Sequence, residues 1–132
     1  MSRAQLREHI FRMLFCREFN GAQEMKEQEE LYFELNGEAS EKDRNYVLTK
    51  YQAVLDKVEE LDAILNKYSE KWPTKRMNKV DLSILRLASY EIKWDDEIPT
   101  AVAINEAVEL AKKYSSEEGP AFINGILAKV AS

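Results

Sequence analysis

The sequence predicts an all-α protein, a soluble bundle of about six to seven helices. Apolar residues recur at spacings of three and four along most of the chain, as in helices with one buried face. Only four glycines and three prolines interrupt 132 residues, of which 45% are hydrophobic and 33% charged. A chain of this length can bury a real hydrophobic core, with room for two sub-bundles.

Composition excludes several classes of site. Cys16 is the only cysteine and His9 the only histidine, so an intrachain disulfide and a Cys/His zinc site in the monomer are excluded. The sequence has no glycine-rich phosphate loop and no ExxH motif for a di-iron bundle, and its only candidate histidine for activating a nucleophile is His9. We therefore expect no enzyme, no cofactor and no metal.

No apolar run approaches the roughly 20 residues of a membrane span, and the N-terminus lacks the apolar core of a signal peptide. We expect a cytoplasmic protein without a membrane partner.

The net charge of −5 is unevenly distributed. Residues 1–17 carry four arginines against one acid, whereas residues 18–43 carry nine acids against two lysines. Because screening at physiological salt confines each charge to about 8 Å, a basic N-terminus can bind phosphates even on an acidic protein.

Residues 2–19 predict the first amphipathic helix. Its inward positions are Leu6, Ile10, Met13 and Leu14. A second set at four-residue spacing would place two guanidinium groups and two aromatic rings on one side, namely Arg3, Arg7, Phe11 and Phe15. These groups suit phosphates and a stacked base. The alternative is that both rings are core and both arginines are solvated.

Residues 23–35 predict a short acidic helix. Ser40, with Asp43 three residues later, then begins the longest predicted element, which reaches Trp72 and Pro73. It holds about 30 helical residues, so we expect it to bend or to bridge two subdomains. Its heptad-like spacing is also compatible with a coiled-coil homodimer. Because the chain has several other amphipathic helices, we expect this helix to pack within the chain.

Residues 79–92 predict the next helix, with Asn78 as its N-cap. Arg86 lies on its apolar face, and we expect Glu106 or Glu109 to pair with it. Pro99 starts a helix that runs to Tyr114.

Residues 121–130 form the last predicted helix, opened by Gly119 and Pro120. Phe122 lies beside its apolar stripe, which allows its ring to be exposed.

Three segments in this order, DLSILRLASYEI, IPTAVAINEAVELAKKY and FINGIL, resemble the NusB family of bacterial transcription antitermination factors. The opening RAQLREHIFRMLF is also similar to that family's first helix. The resemblance implies a non-enzymatic protein with two packed helical subdomains, at about residues 1–72 and 73–132.

The resemblance also implies a function. NusB-like proteins bind the boxA element of nascent RNA together with NusE, a small-subunit ribosomal protein, in an antitermination complex with RNA polymerase. By position, it implies RNA contacts at Arg3, Arg7, Phe15, Glu118 and Phe122, and a NusE contact at Asp81. Phe15 stands where the family commonly has Tyr, and the N-terminal segment is poorer in arginine than in many family members. Both departures suggest a greater dependence on the partner protein.

Two alternatives remain. The chain could be a helical protein-interaction or homodimerisation module without independent RNA binding. It could also resemble the helical RNA-binding domain that precedes rRNA methyltransferase domains, although no nucleotide-binding region follows before Ser132.

Overall fold

The computed structural model describes residues 1–20, 29, 32, 39–69 and 71–132. Within these residues the secondary structure is helical, with no strand, and the predicted all-α class is confirmed. Among the described residues, the helices with defined bounds are α1 (Arg3–Arg17), α2 (Glu41–Asp56), α3 (Val58–Tyr68), α4 (Lys79–Trp94), α5 (Thr100–Tyr114) and α6 (Gly119–Ala131), with a 3-10 turn at Thr74–Arg76. The helix predicted over residues 23–35 lies outside the described residues, apart from Glu29 and Tyr32.

Two compact units make up the chain, Met1–Ala53 and Val54–Ser132. The division falls within α2. The predicted subdomains of about 1–72 and 73–132 stay a prediction. None of the described helices is long and apolar enough to cross a membrane.

In the first unit, α1 begins with a capping box. The Gln5 N–H donates to Ser2 Oγ at 3.1 Å, and the Ser2 N–H donates to Gln5 Oε1 at 2.8 Å. All four positions predicted to face inward are between 1% and 6% exposed. Both the first helix and its buried face are therefore confirmed.

The long predicted element begins as expected, because the Asp43 N–H donates to Ser40 Oγ at 3.1 Å. It is not one helix, however, since Lys57 leaves the helical region with φ −109° and ψ 9° and separates α2 from α3. The Lys57 N–H turns to the carbonyl of Val54 at 3.0 Å. The apolar spacing continues across this break, which is why periodicity does not reveal it.

In the second unit, α4, α5 and α6 pack on one another, and α3 packs on α4 and α6. Asn78 caps α4 as predicted, with its Oδ1 accepting the Asp81 N–H at 2.8 Å. The helix α6 starts earlier than predicted, at Gly119, because Pro120 occupies its first turn, where a proline needs no backbone donor. Its inward residues Ile123 and Leu127 are fully buried.

Arg86 forms a two-pronged ion pair with Asp62 of α3. Its Nε and Nη2 donate to the two carboxylate oxygens at 2.9 and 2.8 Å. The predicted ion pair is confirmed, but Asp62 was not among the predicted partners. Helical spacing defines the face on which Arg86 lies and leaves open which helix packs against that face.

Candidate functional site

In the first unit, Arg3 lies at the exposed start of α1 against the ring of Tyr46. Its guanidinium carbon is 5.0 Å from the ring centroid, and its Nη1 donates to the Tyr46 hydroxyl at 2.9 Å. The Lys50 ammonium donates to the same hydroxyl at 3.2 Å and lies 5.4 Å from the same ring centroid. Two cations therefore share one aromatic ring, which concentrates positive charge and holds Arg3 in place.

Tyr46 and Lys50 were not predicted as site residues. Their spacing in the sequence could have indicated a shared surface, because residues four apart lie on one side of a helix, here α2. What the sequence does not show is that this side of α2 meets the start of α1.

Arg7 differs from Arg3, because it is only 5% exposed and has interactions within the protein. A guanidinium this buried offers little surface to a ligand. The two arginines share a helix face by spacing, but the structure places only Arg3 at the surface.

Three phenylalanines follow one another along α1 and its end. The centroids of Phe11 and Phe15 are 6.3 Å apart, and those of Phe15 and Phe19 are 5.0 Å apart with the rings at 67°. Exposure rises along this series, from 2% for Phe11 through a half-buried Phe15 to 64% for Phe19. Phe11 belongs to the core. Phe19 is the exposed end of the series, and it was not predicted as a site residue.

In the second unit, Asp81, Glu118 and Phe122 line one groove of about 300 Å³. Glu118 is exposed and Phe122 is half-buried. Asp81 is only 5% exposed, and its oxygens accept hydrogen bonds from Ser115 Oγ at 2.6 Å and Asn78 Nδ2 at 2.9 Å. The structure thus brings these three predicted residues together, with Asp81 at the base.

The same groove is lined by Trp72 and Arg76, neither of which was predicted as a site residue. Trp72 is 54% exposed, and Arg76 is exposed as well. In the sequence Trp72 reads as the end of a helix. Within the described part of the chain, no cluster of three His, Cys, Asp or Glu side chains could hold a metal ion.

In its described residues the protein is helical, and its two surfaces combine exposed aromatic rings with exposed cations, a combination typical of nucleic-acid-binding proteins. Comparison with known proteins sharpens this class. The sequence model of the NusB family matches residues 4–132. The chain belongs to the NusB family of transcription antitermination proteins.

Relatives cover nearly the full chain. The transcription antitermination protein NusB of Agathobacter rectalis is 50% identical over 131 residues, which are 99% of this chain and 100% of that protein. The protein of the same name from Lachnoclostridium phytofermentans is 47% identical over 98% of both chains.

Solved structures show the same fold. NusB of T. maritima superposes with a TM-score of 0.86 at 31% identity, covering 99% of this chain and 91% of that one. A crystal structure of antitermination factors NusB and NusE in complex with dsRNA contains a chain with a TM-score of 0.78 at 25% identity, covering 99% of this chain and 98% of that one.

Proposed function

We propose that this protein is a non-enzymatic transcription antitermination factor. It binds boxA-type single-stranded RNA of nascent ribosomal transcripts together with NusE, in the cytoplasm, and helps RNA polymerase to read through terminators. Support comes from family membership and from the similar chain found with NusE and dsRNA. The observation in this chain that carries the proposal is Arg3, exposed and held on Tyr46 beside a second cation.

In the first unit, Arg3 neutralises an RNA phosphate, and Lys50 adds to the positive potential from below. Lys50 and Arg7, at 7% and 5% exposure, act through their charge and not through direct contact. Phe15 supplies a ring for a base, extended by the exposed Phe19. Stacking on such rings is worth roughly 1–3 kcal/mol per base and tolerates different bases.

In the second unit, Phe122 stacks on RNA, while Glu118 beside it repels the backbone and limits affinity. Asp81 serves the NusE surface indirectly. Its buried carboxylate bonds Ser115, the residue that ends α5, so it holds the approach to α6 and the residues exposed there.

Salt-titrated binding to a boxA-like RNA tests the RNA contacts. We expect Arg3→Ala to weaken binding across sequences and to lower the salt slope by about 0.7, the value for one phosphate contact on a single strand. Arg7→Ala should weaken binding less than Arg3→Ala. Lys112→Ala is the matched control, because this lysine is 60% exposed on α5 and pairs only locally with Glu109.

Phe122→Ala and Phe15→Ala should weaken binding through lost stacking, with a salt slope that stays the same. Unfolding midpoints of each variant separate lost stacking from lost fold. Unchanged affinity for Arg3→Ala and Phe122→Ala together would contradict the site assignment.

The role of NusE is tested by comparing boxA-like RNA with a scrambled RNA, with and without NusE. We expect sequence preference to appear or to sharpen when NusE is added. No preference in either condition would contradict the proposed function.

A further inference from the structure

A second groove, of about 560 Å³, adjoins the one that holds Glu118, and the two share Trp72 and Phe122 as lining residues. Its other principal side chains come from the end of α3, the loop after it and α6. The lining includes Lys67, Tyr68, Lys71, Trp72, Phe122 and Lys129.

The two grooves differ in charge. Lys67, Lys71 and Lys129 line the second groove, all three are exposed, and its described lining contains no acidic side chain. The first groove is lined by Arg76 together with the acids Glu118 and Asp81. On a chain of net charge −5, a groove whose described lining includes three exposed lysines is a surface that a polyanion would follow.

Three aromatic rings line the groove together with these lysines. Trp72 leaves 54% of its surface exposed, an unusual state for a tryptophan. Tyr68 and Phe122 are half-buried, and the Lys67 ammonium lies 5.3 Å from the Tyr68 ring centroid. A groove that combines accessible aromatic rings with cations can bind unpaired bases and their phosphates at once.

We propose that this groove is a second single-stranded RNA subsite, in which Trp72 stacks on a base and Lys67, Lys71 and Lys129 contact phosphates. It takes nucleotides that flank the segment bound at Phe122. The proposal rests on the proposed function, since it extends the path of an RNA that already reaches Phe122.

The first test compares a boxA-like RNA with the same RNA extended at its 5′ or 3′ end by about four uridines, the shortest site typical of such grooves. Because Trp72 borders both grooves, we expect Trp72→Ala to weaken binding of one extended RNA by roughly tenfold or more beyond any loss for the short RNA. Trp94→Ala is the matched control, because Trp94 is 38% exposed in the same unit and packs under Lys57 outside the groove.

Lysine substitution tests the phosphate contacts. Lys71→Gln should lower the salt slope for the extended RNA by about 0.7, with no change for the short one. Lys112→Gln on α5 is the control.

Fluorescence reads the stacking directly. The chain has two tryptophans, so Trp94→Phe leaves Trp72 as the only source of tryptophan emission. We expect the extended RNA to quench this emission, whereas Trp94 in the Trp72→Phe protein should respond little to the same RNA.

The outcomes are distinguishable. Equal weakening of short and extended RNA by Trp72→Ala would overturn a separate subsite, and so would emission that responds to NusE and not to RNA. If wild-type protein binds no boxA-like RNA, the proposed function fails. If polyuridine still quenches Trp72 in that case, the groove remains an RNA site of its own. If polyuridine does not quench Trp72, both the proposed function and the subsite are overturned.

Discussion

The Asp81 carboxylate accepts a hydrogen bond from the Ser115 hydroxyl, with 2.6 Å between the two oxygens. Asp81 lies in the first turn of α4, and Ser115 is the C-cap of α5. The same carboxylate accepts a hydrogen bond from the Asn78 amide, and Gly119 at the start of α6 packs beside the carboxylate. One buried acid therefore connects three helix ends, directly below the groove that holds Glu118 and Phe122.

Removing the Ser115 hydroxyl should destabilise the fold. We expect Ser115→Ala to lower the free energy of unfolding by roughly 1–3 kcal/mol, because a buried carboxylate loses a donor. Urea unfolding followed by circular dichroism measures this. The exposed neighbour Ser116 is the control, and an equal loss for Ser116→Ala would contradict the role given to the Ser115 hydroxyl.

Two glycines of α6 should respond in opposite ways to alanine. At Gly119 a Cβ would lie 2.0 Å from Ser115 Oγ and 2.6 Å from Ser115 Cβ, so rotating the hydroxyl away does not relieve the clash. Gly119→Ala should therefore cost at least as much as Ser115→Ala. At Gly125 a Cβ meets nothing within 4 Å, so Gly125→Ala should stabilise by about 0.5–1 kcal/mol through helix propensity. Thermal unfolding of both variants measures these effects. A stabilised Gly119→Ala protein would rule out the close packing of Gly119 against Ser115.

Two ion pairs in the second unit should differ in how much they contribute to the free energy of unfolding. Arg86 and Asp62, whose side chains are 13% and 25% exposed, make two charged hydrogen bonds, so Arg86→Ala should cost roughly 1.5–3 kcal/mol. Lys112 and Glu109 are 60% and 55% exposed, so Lys112→Ala should cost less than about 1 kcal/mol. A double-mutant cycle on each pair measures the coupling, and similar values would refute the distinction.

Stability should depend on the protonation of His9. Burial, and then the positive charge of Arg12, lower the pKa of His9 from its usual 6.5, although Glu8 opposes this. As pH falls through 6.5 the unfolded chain takes up the proton first, so the free energy of unfolding decreases until the folded pKa is passed. Unfolding midpoints between about pH 7.5 and 5.5 should show this slope.

His9→Gln should flatten that slope, because His9 is the only histidine. Tyr32→Phe, which removes the hydroxyl 2.5 Å from His9 Nδ1, should retain it, since burial is the larger cause. If the pH dependence of stability persists in His9→Gln, other titrating groups cause it.

Glu118 should oppose RNA binding under the proposed function. Removing its charge with Glu118→Gln should tighten binding of boxA-like RNA a few-fold at low salt, and the gain should shrink as salt screens the repulsion. Glu109→Gln on α5 is the control, because Glu109 is exposed and does not line the groove. Equal gains for both variants would point to net charge alone.

Local pattern was sufficient for the helices and their faces. The cap at Asn78 and the buried positions of α1 and α6 follow from spacing and side-chain chemistry, which act over a few residues. Pattern also showed that Arg86 needs an acid. It did not show the break at Lys57, because neither glycine nor proline marks it and the apolar spacing continues through it.

The sequence by itself determined an all-helical chain, its family and a set of residues suited to RNA. Only the tertiary structure decided which of them are available. It buries Arg7 and Asp81, leaves Arg3 exposed on Tyr46, and sets Trp72 beside Phe122 in a basic groove. The physical reason is that periodicity defines a residue's face on its own helix, whereas exposure and partners depend on which distant segment packs against that face.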